Sequence, residues 1–598
     1  MLQIHLLGAP RVVRAGAAVQ APRGNKVWGL LAYLLLRGAP AGRSQLAELL
    51  FAEADDPLAA LRWNLTQLRR LVDHPKGFRG DPLEPDWPAG LEPRVDVLDL
   101  TADDPNVGSD LLAGMAFPDS PGFEIWLEAQ RRQVRGTVES LLHETAISQL
   151  ARGSAREASD VAARLVGLNP LEENFQTLLV RTLAMAGLPV AAQRAAEACR
   201  ELFARELGVQ PGAQLTAALR AGPTAARPVA TGAVAVEAQL LAGEAAVGAG
   251  ATAAGLEVLA RAVAEARGLD DGPLLARCLV ASGTALVHAA RGSDEEGAYD
   301  LHAALAVPGA SPDVVAQAHT ELGYVEFLRG GYELAQKHLL AAESHGAPRP
   351  DTRAMIETVR GAALSDQGFY DAALYPLRAA LDVSAPGPAG ERRRAYALSM
   401  IGRVHLLRGD YDEAATALDE STARSQACGW TTFVPWPESL RADVDLAAGD
   451  LSAAADRLER SFALGCQIGD PCWEGMAARG LGVLAAARGD GPGAVAILLD
   501  GLVRARRLPD AYVWAQAHVL DALAGVGVTY ERPEAGAWVA DLARTADRAG
   551  MREFGARAAV HRYRLGDDGA LAAARALAAP LRSPLLDEDL VSVADVVR

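Results

Sequence analysis

Trp63, Thr66, Gln67 and Arg70 recur at the three- and four-residue spacing that puts side chains on one face of an α-helix. Their chemistry suits reading the edges of DNA bases. Gln67 and Arg70 carry the donors and acceptors to do it in the major groove, and the Trp63 indole can press on a thymine methyl or a sugar. Thr66 adds a hydroxyl to the same face. Arg62, Arg69, Arg43 and Lys76 lie where cations would meet phosphate. For any one arginine, a solvated charge or a local ion pair is an equal alternative, so the expectation rests on the group.

These side chains need a helix, and the run from Asp56 to Asp73 supplies one. Asp56 can cap its start, and Pro57 suits a first position that needs no N–H. Leu58, Leu61, Leu65, Leu68 and Val72 form the apolar stripe that would bury it. Two helices are expected before it, Asn25–Arg37 and a short one capped by Ser44. Residues 2–6 and 10–14 read as strands, as does Arg94–Leu100 after a Pro- and Gly-rich stretch. Three helices flanked by strands predict a winged helix-turn-helix.

Charge supports this. The 598-residue chain has a formal net charge of −17, yet residues 1–80 hold eleven Lys plus Arg against five Asp plus Glu, which is +6. A basic module on an acidic body is expected where one part meets phosphate and the rest stays soluble. Only three of the 58 cations are lysine, so Arg richness in itself is general here.

Other classes find little support. No GxxxxGK[ST], GxSxG, HExxH or strand–helix GxGxxG is present, so no enzyme, cofactor or metal site is expected. The cysteines Cys199, Cys278, Cys428, Cys466 and Cys472 lack CxxC spacing and read as small buried residues of a reducing compartment. No signal peptide is expected at the N-terminus. Glu237, Glu244 and Glu257 interrupt the most apolar stretch. A cytoplasmic protein without membrane contact is the expectation.

The rear of the chain repeats. Gly243, Gly283, Gly323, Gly361, Gly402, Ala442 and Gly482 recur about every 40 residues. Seven residues after each comes Gly250, Ala290, Gly330, Gly368, Gly409, Gly449 or Gly489. In six of the seven, a small residue follows at twelve and a leucine at sixteen: Leu259, Leu339, Leu377, Leu418, Leu458 and Leu498. The repeat at Gly283 breaks this register. Small residues that admit close approach, a turn glycine and a space-filling leucine predict paired antiparallel helices of the tetratricopeptide kind. The pattern extends forward to Ala146, Gly153 and Ala158, and to Val180, Gly187 and Ala192, 34 residues apart. Residues 221–232 read as a linker. Such an array offers a concave groove for a peptide or protein segment. Tyr324, Arg403, Trp436, Asp443 and Arg479 are placed to face it, with ordinary packing the alternative for each. The groove could sense a signal, contact polymerase or form a homo-oligomer.

Three motifs in order carry a family resemblance: Leu168-Asn169-Pro170-Leu171-Glu172-Glu173, the run Arg181–Gly187, and Glu206-Leu207-Gly208-Val209-Gln210-Pro211. They resemble the bacterial transcriptional activator domain of SARP-type regulators, which follows an OmpR-like winged helix. The front end is similar too, through LLGAPRVV, LLAYLLLRG and LTQLRRLV. The resemblance implies a transcriptional activator that binds repeated half-sites on double-stranded DNA and helps recruit RNA polymerase. Two features depart from the family. Residues 80–92 carry Asp81, Glu84, Asp86 and Glu92 where the family has a basic wing, and no P-loop ATPase is inserted.

The expected fold is mainly α: a winged helix-turn-helix (α+β) over 1–105, a helical activator domain over 106–222, and a tetratricopeptide-like solenoid over 223–598. The expected function is a sequence-specific DNA-binding transcriptional regulator. The alternative is a protein-interaction scaffold whose winged helix no longer binds DNA tightly. Residues 1–220 are expected to bind DNA without the solenoid.

Overall fold

The computed structural model describes residues 2–87, 92–220, 232–346, 348–508 and 512–595. Strands β1 (Leu2–His5), β2 (Arg11–Arg14), β3 (Ala17–Ala18) and β4 (Arg94–Val95) form a sheet in the order β3-β2-β1-β4. β1 and β2 are antiparallel, with Ile4 opposite Val12, and β4 joins β1 in parallel. The strand expected over 94–100 is thus only two residues long. The reason is Asp96, whose buried carboxylate turns inward and accepts from the amides of Leu6, Leu7 and Val97. That ties the strand's end to β1 and stops its extension.

Helices α1 (Lys26–Leu36), α2 (Arg43–Phe51) and α3 (Pro57–Leu71) follow. The Asp56 carboxylate accepts from the Ala59 amide (2.8 Å), with Pro57 in the first turn, as expected. Leu61, Leu65, Leu68, Leu71 and Val72 are buried. Leu58, assigned to the stripe, is exposed. Ser44 does not cap α2. Gly42 holds that position, and the Arg43 amide is met instead by Asp81 (2.9 Å).

From Val97 to Ser120 the chain folds back on the sheet. The Gly8 amide donates to Asp110 O and the Leu112 amide to Leu6 O across it, and the Ser120 hydroxyl donates to Leu50 O at the end of α2 (2.8 Å). α4 (Pro121–Ala151) opens an array of helix pairs that runs to Pro584–Asp595. There are 27 α-helices among the described residues. Residues 221–231 of the expected linker lie outside them.

The repeat signature has a direct physical cause. A methyl added to Gly361 would lie 2.5 Å from Leu377 Cγ, one on Gly402 2.5 Å from Leu418 Cγ, and one on Gly482 2.5 Å from Leu498 Cγ. Each leucine therefore covers the bare backbone of the glycine sixteen residues before it. Gly250, Gly330, Gly368, Gly409, Gly449 and Gly489 all turn in the left-handed region, which only glycine adopts at little cost. The irregular repeat is displaced, not degraded. Its turn is at Gly292 (φ +89°), not Ala290, and Leu301 covers Gly283. Every position after Gly283 has moved by two residues, because the first helix, Gly272–Ala289, is followed by a longer turn.

The array closes on the front end. Helices Ala535–Ala549 and Ala570–Ala578 pack against α4, and the latter also meets α2. A methyl on Gly136 in α4 would lie 2.1 Å from the Arg548 carbonyl, so the backbones nearly touch. Arg132 pairs with Asp547 (2.8 Å) and Arg575 with Glu48 (3.2 Å). Part of the surface of residues 1–220 is therefore covered by the C-terminal repeats.

One composition-based expectation needs revision. Cys199 and Cys278 are buried, but Cys466 is exposed, and all five cysteines are free thiols. Helix Gly272–Ala289 is long and apolar enough to cross a membrane by composition, although more than half of it is buried between repeat helices.

Candidate nucleic-acid interface and the interior of the repeat array

α3 packs on α1 and α2 through its leucines, leaving Trp63, Thr66, Gln67 and Arg70 on the outer side. Trp63 is 54% exposed, a large apolar area for a lone surface residue. The Arg70 guanidinium has no hydrogen bond or ion pair among the described residues, and Lys76 is exposed. Thr66 spends its hydroxyl on the Arg62 carbonyl (3.0 Å), so its methyl is the group left to offer. Arg62 stays exposed, with only a 3.7 Å approach to Asp56.

The other two predicted cations are committed elsewhere. Arg69 donates to the carbonyls of Gly77 (2.8 Å) and Phe78 (2.7 Å), and Arg43 to that of Gly80 (2.8 Å). They hold the segment after α3 in place, where free phosphate ligands were expected. That segment is the wing. Leu83 exchanges both main-chain bonds with Ala41, and the main chains of Arg79 and Glu84 pair in an antiparallel bridge. Of its acids, Asp81 is used to cap α2, while Glu84 and Asp86 face solvent. Sequence reasoning missed Arg79. It is exposed beside Arg43 and Arg69, and burial together with these like charges pushes the Arg69 guanidinium below its usual range.

The predicted groove residues divide. Asp443 and Arg479 form an ion pair in the wall of a cavity of about 370 Å³ inside the array. Arg403 does not face a groove. It is fully buried, donating to Asp366 (2.6 Å) and Tyr512 (2.7 Å), with its guanidinium 4.4 Å above the Trp514 ring. A guanidinium in an apolar interior needs such partners for all its charge. Trp436 is likewise interior, among Trp473, Tyr512 and Trp514. Tyr324 stacks on His288 at 4.8 Å, away from the cavity lining, and burial raises its hydroxyl to about 12.

Most of the cavity wall comes from residues the forty-residue pattern did not flag. Trp514, His518 and Asp521 lie on Val513–Thr529, and Glu553, Phe554 and Arg557 on Arg552–Arg564. These helices follow the last regular repeat. The available signal was the spacing of Trp514, His518 and Asp521, which places polar groups on one face of an otherwise apolar helix. His518 stacks on Trp514 (4.7 Å), and burial plus the nearby Arg479 lower its imidazole to about 4, so it is neutral at pH 7.

The fold is thus a small winged-helix unit joined to a tetratricopeptide-like helical array. Residues 98–221 match the family model described as Bacterial transcriptional activator domain, and the chain carries that domain. No curated protein sequence matches. Among solved structures, the chain is similar to a Rap protein complexed with competence and sporulation factor, at 11% identity over 60% of this chain and 90% of that one, with a TM-score of 0.41. It is similar to NprR in complex with its cognate peptide NprX, at 12% identity over 53% and 97%, with a TM-score of 0.38. Mycobacterium tuberculosis EmbR, in complex with a low affinity phosphopeptide, matches at 19% identity over 37% and 66%, with a TM-score of 0.30.

Proposed function

We propose that this protein is a sequence-specific DNA-binding transcriptional regulator of the activating kind, working in the cytoplasm, whose helical array controls or is controlled by a second partner. The activator-domain match over residues 98–221 supports the regulator class. The observation that carries DNA binding is the outer face of α3, where Arg70 is unpaired among the described residues, Gln67 is beside it and Trp63 is exposed on a module of charge +6. In this reading α3 lies in the major groove, Gln67 and Arg70 read base edges, and Arg62, Lys76 and Arg79 meet phosphate. Arg43 and Arg69 shape the wing. The partners are double-stranded DNA, RNA polymerase, and a ligand of the array.

A second reading follows from the acidic wing. With Glu84 and Asp86 in solvent beside α3, the winged helix could serve as a protein-binding surface in a scaffold without tight DNA affinity. Selection of genomic fragments by the full chain at low salt separates the two. The regulator reading expects a recurring sequence among retained fragments. Retention without sequence preference, or none, favours the scaffold.

A further inference from the structure

We propose that the cavity between helices Arg552–Arg564, Val513–Thr529 and the inner helices of the preceding repeats binds a small organic cation with an aromatic or aliphatic body, and that its occupancy is transmitted to the winged helix through Arg552. The part concerning the winged helix rests on the regulator reading for its purpose; the binding itself does not.

Size and shape come first. At about 370 Å³ the cavity suits a small molecule. It does not suit a threaded peptide, because the chain's own C-terminal segment crosses the array here. Leu581 seats against the turn at Gly368 and Leu585 against the turn at Gly409, each near 3.1 Å from where a methyl on the glycine would lie. Leu585 also forms part of the cavity wall.

Charge sets the sign of the ligand. The walls hold four carboxylates, from Asp366, Asp443, Asp521 and Glu553, against the two guanidiniums of Arg479 and Arg557. Counting Arg403, which lies behind the wall on Asp366, acids still exceed guanidiniums. Asp521 makes its hydrogen bond to an imidazole, His561 (3.3 Å), not to an arginine, and stays ionised near 2 against the cost of burial through that bond and the nearby Arg557. His518 is the second observation that points to a ligand. It is 7% exposed and lines the cavity, yet neither ring nitrogen has a hydrogen-bond partner; its nearest carboxylate oxygen, on Asp443, is 3.9 Å away. Buried polar atoms are seldom left so. A bound ammonium could use both the imidazole and the excess carboxylate, with its apolar body on Trp514 and Phe554.

Coupling follows from one helix. Glu553, Phe554 and Arg557 line the cavity, and the adjacent Arg552 donates to the carbonyls of Arg37 (2.5 Å) and Leu36 (3.2 Å), where α1 ends. A ligand that shifts this helix must disturb or tighten that clasp.

Calorimetry on the full chain with tryptamine, indole and indole-3-acetate tests the site. Tryptamine is expected to bind saturably at one site, at least tenfold more tightly than the neutral or anionic analogue, and Asp521→Asn should weaken it tenfold or more. Leu585→Trp, which fills the cavity from the last helix without removing a buried charge, should give the same loss. Preference for the anion, equal binding of all three, or no tryptamine binding at millimolar concentration would overturn the proposal. Hydrogen exchange at Leu36 and Arg37 reads the coupling without DNA. Tryptamine should change it in the parent chain and not in Arg552→Ala; no change in the parent chain rejects the coupling, whatever the DNA result.

Discussion

The Arg552 guanidinium clasps the carbonyls of Arg37 and Leu36, joining residues 515 and 516 positions apart. It meets the carbonyls that a helix C-terminus leaves without internal partners. The last third of the chain therefore completes the structure of the first helix of the winged helix. Removing Arg552 as alanine leaves these carbonyls short of donors and should cost about 1–3 kcal/mol. Limited proteolysis and a lowered melting temperature check this. Gly136→Ala attacks the same closure from the other side. Its methyl meets the Arg548 carbonyl, so the C-terminal repeats should separate from α4, and small-angle scattering should show an expanded particle.

The glycine–leucine pairs predict a coupled substitution effect. Gly361→Ala puts a methyl into Leu377 and should destabilise by about 1–3 kcal/mol through overpacking. Leu377→Ala alone should cost about 2–5 kcal/mol by leaving a cavity. The double variant should cost less than the sum, because each change relieves the other. Additive costs in a denaturant-unfolding cycle would mean that the two residues are not in contact.

Acid should weaken the fold through its buried histidines. Burial lowers His302 to about 3 and His518 to about 4. Their folded values lie below the unfolded value of about 6.5. The unfolded chain therefore binds more protons in this window, and stability falls as pH drops from about 7 towards 4. At pH 5 each contributes a loss of about 2 kcal/mol. Asp547, raised to about 6 by burial, acts in the opposite sense, so the comparison is best made by difference. His518→Gln should flatten the dependence of unfolding free energy on pH between 7 and 5 relative to the parent chain.

Arg69 and Arg70 are neighbours in sequence with different expected roles. Arg69→Ala unties the wing from α3, and a thermal melt should register the loss of two buried carbonyl partners. Arg70→Ala should leave the melt unchanged and act only on DNA.

Local patterns made much of this legible. The Asp56 cap, the leucine stripe of α3 from Leu61 onward, and the Gly–Leu register all depend on residues within about one repeat of each other. The two-residue slip from Ala290 to Gly292 was in reach, since Gly292, Gly297 and Leu301 keep the register once shifted. The fate of Arg43 and Arg69 was not, because it depends on carbonyls of an irregular loop. Nor was the closure of the array on α4. That is a sum of small rotations between successive repeats, and no short segment encodes it. The cavity wall was hidden for the same reason: it joins Asp443 to Glu553 across three repeats.

The outer face of α3 is the proposed reader of DNA. The most direct test of that role is the salt dependence of full-chain binding to a selected site, for the parent and for Arg70→Ala. For the parent, affinity should fall steeply with salt, with a slope reflecting about six phosphate contacts. Arg70→Ala should lose about 1–3 kcal/mol on the selected site but little on unrelated DNA, with nearly the same slope. Equal loss on both sequences would make Arg70 a phosphate ligand, contradicting its assignment as a reader of bases. No salt-sensitive binding by the parent would contradict the role as a whole.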